Sequence, residues 1–397
     1  MIDSTESELL QLLDENIESV VLRENSTFDE LGTHFKNNFI LFGTGGLGLR
    51  TLQGLRKLGF EPLAFTDNNQ ARWHTTVEGV EVLPPVDAVK RFGQQAVFIV
   101  TIWSDALGHP FDEIDEQLNN YGKAKVISFA HLYWKYPDAF LPYFSLDLPH
   151  KTIKHAEQIR KCFYLWADEA SRKEYLAQIR WRLWLDFHGL PKPVSCTQYF
   201  PDDLFQLSPN EVFIDCGAFD GDSIKNFISH MGSSFRHIVA FEPDPGNFSK
   251  LETYIAGLDP SIAGKISAKQ LAACNPSARG EKIRFNSGVT QQSSIDEQGN
   301  IEVDCVSLDT ELTVVPTYIK MDIEGAEPEL LAGAQNIVAK QTPILAISIY
   351  HHFDHLWRLP LYVSSLSDNY RFYLRPHCHT CWDLVCYAVP VGRLLVL

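Results

Sequence analysis

Three acid-rich segments in the second half of this 397-residue chain hold residues whose types and spacing suit chemistry on a small molecule. The first, FIDCGAFDGDS, follows an apolar run and opens a helical pattern. Asp215 ends the run, Gly217 and Ala218 begin a sharp turn, and Gly221 lets a ligand approach the main chain. Asp215, Asp220 and Asp222 make the loop acidic. A pyrophosphate would be repelled there, whereas a sulfonium cation with an amino-acid tail would not. The second segment, AFEPDP, places Glu242 about 20 residues further on, where an acid can accept both hydrogen bonds of a ribose diol. The alternative for Glu242 is a purely local role, as partner to the helix cap at Pro243–Pro245. The third, YIKMDIEGAEPELLAGA, crowds Lys320, Asp322, Glu324 and Glu327 beside an apolar strand. Such charges are costly unless they face a cleft or pair with one another. Substrate or metal binding is one reading. The other pairs Lys320 with Glu324 and leaves Glu327 capping the helix.

The first half carries a different loop. FGTGGLG fits G-x-G-x-x-G at Gly43, Gly45 and Gly48, between a strand and a helix, with Asp67 about 20 residues later. It has no acid, so a phosphate could sit on its amides. Three readings stay open: a nucleotide-sugar site, a structural or oligomerising remnant, and a working NAD site. No Tyr-x-x-x-Lys relay follows the loop.

These residues need elements to hold them. Strands are expected at Phe39–Phe42, Pro62–Thr66, Ala96–Val100 and Lys125–Phe129, with helical patterns between them. One intervening helix carries Leu49, Leu52, Leu55 and Leu58 on one face. From about His150 to Leu190 the pattern is helical, capped by Asp168 and Ser171 and stopped by Gly189 and Pro191. Its Trp166, Trp181 and Trp184 are assigned to core packing between domains. Alternation resumes at Val212–Cys216, His237–Glu242, Tyr318–Asp322 and Ile344–Tyr350, then in RFYLR and LVCYAV. The expected fold class is α/β with two doubly wound domains. The first spans 1–149, a helical linker covers 150–200, and the second spans 201–397.

Composition excludes several classes. Hydrophobic residues at 45% supply two cores, and a formal charge of -16 without a basic run argues against a nucleic-acid partner. The acidic, amphipathic start MIDSTESELLQLLDENIE is unlike a secretory leader, and no apolar run approaches the ~20 residues of a membrane span, so a cytoplasmic protein is expected. The eight cysteines read as mostly reduced core residues. Cys378 and Cys381 have zinc-ligand spacing beside His377 and His379, but no second pair accompanies them, and no zinc is assigned.

The three segments, with the Ser307–Leu308–Asp309 triplet, in this order and spacing, resemble the FkbM family of methyltransferases from about Tyr199 to Pro390. D-I-E-G-A-E is the most specific mark, and SIYHH and YLRPH are similar to segments of a subset of the family. The resemblance implies a seven-stranded class I methyltransferase sheet with an antiparallel last strand, S-adenosylmethionine (SAM) as donor, and usually O-methylation of sugars, polyketides or other secondary metabolites. It implies SAM contacts at Asp215, Gly217, Asp220, Gly221 and Glu242. Ala272 and Ala273, at the end of the third strand, are expected near the adenine.

O-methyl transfer needs an oxygen held in line with the methyl group and a destination for its proton. His351 and His352 follow the fifth strand, beside the exit of Asp322 from the fourth. A histidine near its ordinary pKa of 6.5 suits a general base, so His351 is the expected base, with Asp322 and Lys320 beside it. Alternatively, Asp322 and His351 hold a divalent cation such as Mg²⁺, or the histidines only cap the strand end. The leading expectation is a SAM-dependent enzyme acting on a glycan or secondary-metabolite hydroxyl presented by the first domain, with oligomeric state open. The alternative is a nucleotide-binding protein or oxidoreductase whose second domain holds SAM without turnover.

Overall fold

The computed structural model describes residues 4–32, 38–103, 111–280, 282–285 and 301–395. They form two compact units. One comprises Met1–Ala156, Leu176–Lys192 and Cys378–Trp382, the other Glu157–Tyr175, Pro193–His377 and Asp383–Leu397.

In the first unit, β1 (Phe39–Phe42), β2 (Ala64–Thr66), β3 (Thr76–Val77), β4 (Val80–Leu83), β5 (Val97–Val100) and β6 (Lys125–Ser128) build a sheet of order β3-β4-β2-β1-β5-β6. All its pairings are parallel except β3 with β4. β1 and β5 are apolar throughout and buried along their whole length, as a parallel sheet covered on both faces requires. The short hairpin of β3 and β4 was not legible in the sequence pattern. Gly48 lets the helix Gly46–Lys57 start against β1: a Cβ there would lie 2.1 Å from the Gly43 carbonyl oxygen. Trp181 is buried in this unit and stacks on Trp103 at 5.5 Å. Trp184 departs from the expected core role. It is 47% exposed, with the Arg23 guanidinium 3.5 Å over its ring.

The second unit holds β7 (Val212–Cys216), β8 (His237–Phe241), β9 (Ile266–Lys269), β10 (Ala272–Ala273), β11 (Lys282–Phe285), β12 (Ile301–Val306), β13 (Tyr318–Met321), β14 (Ile344–Ser348), β15 (Tyr370–Pro376) and β16 (Leu384–Pro390). Among the described residues seven of these form one sheet, ordered β15-β16-β14-β13-β7-β8-β9. β16 runs antiparallel to both neighbours and the other pairings are parallel. The chain builds outward from β7 to β9, then returns to place β13 on the other side of β7. That reversal opens a crevice at the carboxyl ends of β7 and β13, where open α/β sheets bind ligands. Phe213, Phe227, Tyr318 and Phe200 form the core beneath it, with Phe213 and Phe227 stacked at 4.8 Å.

The helical segment contains Pro149–Lys154, Ala156–Phe163 and Glu169–Trp184. Asp168 caps the last of these by accepting from the Ser171 amide at 2.8 Å. That helix ends at Trp184, earlier than Gly189 and Pro191 suggest, because Leu185 takes a left-handed conformation (φ +52°). Cys274 and Cys305 are joined by a disulfide, so the expectation of mostly reduced cysteines does not extend to that pair. The cause is the register of β10 on β12, which pairs Ala273 with Val306 and brings two residues 31 apart in sequence together. No helix among the described residues is long and apolar enough to cross a membrane.

Candidate functional site

The turn after β7 departs from extended structure at Gly217 (φ +84°) and Gly221 (φ +96°). A Cβ on residue 217 would lie 1.9 Å from the main-chain oxygen of Asp322, so glycine there lets the ends of β7 and β13 meet. The first three loop amides are consumed by the fold. Gly217 and Ala218 both donate to the Phe241 carbonyl, and Phe219 donates to Glu242 Oε2 at 2.8 Å. Those three amides are therefore not available to cradle an anion. Asp220 is half-buried on it. Glu242 also accepts from the Asp244 amide at 2.9 Å, while Asp244 itself caps the next helix through the amides of Gly246 and Asn247. Burial pushes the Glu242 carboxyl up to about 7 despite its two amide bonds.

Asp215 and Lys320 meet across the sheet. They are register partners on β7 and β13, and both are sealed from solvent. Lys320 Nζ donates to Asp215 Oδ1 at 3.0 Å and to the Gly217 carbonyl at 2.7 Å, and Ser223 Oγ donates to Asp215 Oδ2. Burial disfavours the lysine charge, but Asp215 and the more distant Asp322 and Asp222 outweigh it and raise its pKa. Lys320 thus pairs with Asp215 rather than with Glu324, and it ties the glycine turn to the sheet.

The parallel pairing of β13 with β14 brings Asp322 and His351 together, with His351 Nε2 3.3 Å from Asp322 Oδ1. Glu324 Oε2 lies 3.8 Å from the same nitrogen. Glu324 is left-handed (φ +54°) ahead of Gly325 (φ +102°), a turn that folds its carboxylate back toward the histidine. On the other side of the ring, Nδ1 is 2.8 Å from Glu327 Oε1. Glu327 is fully buried, accepts from the amides of Ile323 and Gly325, and lies 3.4 Å from His355 Nδ1. Burial resists charge on both partners, yet each supports the other: Glu327 falls to about 2 and His351 rises to about 10. Burial and neighbouring acids push Glu324 up to about 7, against the pull of His351. An imidazole titrating near 6.5, as the sequence suggested, is not what these neighbours produce. Those neighbouring carboxylates favour the protonated ring over the neutral one.

Two tyrosines that sequence reasoning missed complete the cleft edge. Tyr199 donates its hydroxyl to Asp322 Oδ2 at 2.8 Å, and the Tyr350 hydroxyl is 3.4 Å from Asp322 Oδ1. Tyr350 could have been suspected from its place beside His351. Tyr199 lies 123 residues from its partner and carried no such signal. His352 instead pairs locally with Asp354, at 2.7 Å. Ala272 and Ala273 are buried, but past the end of β9 in the small sheet β10-β12-β11.

In the first unit, Gly43 (φ +112°), Gly45 and Gly48 form the expected strand-to-helix turn. Asp67 does not stand free beside it. Its carboxylate accepts from the Thr44 amide at 2.8 Å, from Thr44 Oγ1 at 2.6 Å and from the Asn69 amide at 2.8 Å. That arrangement ties the loop to the end of β2.

Residues 215–376 match the family model of the methyltransferase FkbM domain. The crystal structure of methyltransferase FkbM from Methylobacillus flagellatus KT superposes with a TM-score of 0.74 at 22% identity, over 97% of this chain and 99% of that one. At that identity the likeness speaks for a shared fold. An rRNA methylase from Streptococcus thermophilus matches 46% of this chain and 89% of its own at 10% identity, with a TM-score of 0.29 that carries no argument. No curated protein matches. The β7 turn, Glu242 and the D-I-E-G-A-E turn all lie inside the span that matches the methyltransferase FkbM domain, and the fold is that of a class I methyltransferase.

Proposed function

We propose that the second unit transfers a methyl group from SAM to a hydroxyl of a small molecule, a sugar or secondary metabolite. The observation that carries the reading is the pairing of an acidic glycine turn, its first three amides spent on the fold, with the buried carboxylate of Glu242 at the next strand end. These residues fit SAM. Glu242 offers its remaining lone pairs to a ribose diol, Asp220 and the Gly217–Gly221 turn suit the cationic amino-acid end, and Ala272 and Ala273 offer an apolar surface to the adenine. When bound, SAM supplies an electrophilic methyl group.

The acceptor belongs at Asp322 and Glu324, whose side chains are 26% and 32% exposed while His351 beneath them is 1% exposed. Tyr199 fixes Asp322, leaving a carboxylate edge to hold the hydroxyl. The acceptor's proton passes to the exposed carboxylate edge of this pair. Titrating the protein separately with SAM and with NAD tests the reading. SAM binding, followed by S-adenosylhomocysteine formation with hydroxylated acceptors, is expected. Binding of NAD alone would favour the alternative of a nucleotide-binding protein with a second domain that does not turn over.

A further inference from the structure

One imidazole faced by three carboxylates leaves a surplus of negative charge at the mouth of the crevice. Asp322, Glu327 and His351 present ligand atoms all within 4.8 Å of one another. The geometry sorts these groups into two roles. His351 Nδ1 is committed to Glu327, itself fixed by the Ile323 and Gly325 amides, so the ring is held with Nε2 pointing at Asp322 and Glu324. A carboxylate behind a histidine, orienting its far nitrogen, is the arrangement that supports metal-binding histidines. Bond lengths of about 2.1 Å put neighbouring ligand atoms about 3.0 Å apart in octahedral and about 3.4 Å apart in tetrahedral coordination. The separations from Nε2 are 3.3 Å to Asp322, close to tetrahedral spacing, and 3.8 Å to Glu324, somewhat beyond it.

We propose that His351 Nε2, Asp322 and Glu324 bind a divalent first-row transition ion, with Glu327 as the positioning residue behind the histidine. One imidazole with two carboxylates suits Mn²⁺ or Zn²⁺ better than the all-oxygen shells of Mg²⁺ or Ca²⁺. Three protein ligands leave coordination positions open. The exposed edges of Asp322 and Glu324 give an acceptor hydroxyl access to them, and the ion would lower that hydroxyl's pKa. The nearby cluster of His352, Asp354 and His355 is the weaker candidate, because Asp354 is paired to His352 and His355 is turned to Glu327.

The site can be tested on the full chain without SAM, so its failure is separable from failure of the methyltransferase reading. Chelator-stripped protein is titrated with Mn²⁺ and with Zn²⁺ by calorimetry, with the Mn²⁺ electron paramagnetic resonance signal as a second readout. One tight equivalent is expected. Glu324→Gln and Asp322→Asn, both at partly exposed positions, should each weaken it on the order of 10–100-fold, with circular dichroism checking that each variant is folded. His352→Ala should bind as the parent does. Absence of binding at millimolar metal, parent-like binding in both carboxylate variants, or loss of the equivalent in His352→Ala would each overturn the site.

Discussion

Lys320 reaches from β13 to Asp215, its register partner on β7, and the two meet at 3.0 Å with side chains 3% and 0% exposed. Removing the lysine leaves a buried carboxylate without its counter-charge. Lys320→Met should therefore cost about 3–5 kcal/mol of stability, read by urea unfolding. A lysine acting on substrate would show its loss in turnover with folding little changed. A stability change under about 1 kcal/mol would remove Lys320 from this structural role.

Gly217 and Gly232 both have positive φ but different surroundings. Residue 232 has open space around a Cβ, whereas residue 217 meets the Asp322 main-chain oxygen at 1.9 Å. Gly232→Ala should cost on the order of 1 kcal/mol and leave SAM affinity unchanged. Gly217→Ala should cost at least about 2 kcal/mol and abolish SAM binding, since one strand end must move. Equal effects of the two substitutions would mean that the β7–β13 approach is not what glycine serves.

Glu242 sets a pH dependence for SAM affinity. With its carboxyl held at about 7 in the free protein, the ionised form that accepts from a ribose diol dominates above that pH and is lost below it. The dissociation constant should stay level above pH 7 and rise up to about tenfold per unit as pH falls below it. Glu242→Ala should weaken binding about 30-fold or more at pH 8, through lost ribose bonds and a loosened Phe219 amide. Calorimetry between pH 5.5 and 8.5 checks both. A flat profile in the parent protein would remove Glu242 from the cofactor site.

The loop of the first unit can be tested cleanly because Gly45 is exposed and its Cβ position is empty. Gly45→Val should fold with parental stability and keep its SAM affinity. If nucleotide phosphates approach this loop, the variant should lose the thermal shift that UDP-sugars, GDP-sugars or NAD give the parent. No shift in the parent at millimolar ligand would leave Asp67 and Thr44 with the structural task of tying the loop to β2.

Much of this architecture is local and so could be read from the chain. Apolar runs such as FILF and VFIDC mark strands covered on both faces, and a glycine just after each marks the turn a parallel sheet needs. Strand neighbours follow from the family likeness, which is why Asp322 and His351 could be expected side by side. Charge partnership is another matter. Lys320, Asp322, Glu324 and Glu327 look alike in sequence, four ionisable groups within eight residues. Lateral register gives Lys320 to Asp215, while the left-handed turn at Glu324 and Gly325 sends the remaining carboxylates toward His351. The same packing decides protonation, because a buried ring against Glu327 holds its proton at a pH where a solvated one would not. Tyr199 shows the limit most directly: it lies 123 residues from Asp322, and only the closed fold brings its hydroxyl to that carboxylate. Sequence specified the elements and the types of group they carry. Which charges meet, and how much water each keeps, depends on long-range strand pairing and burial, and these exist only in the folded chain.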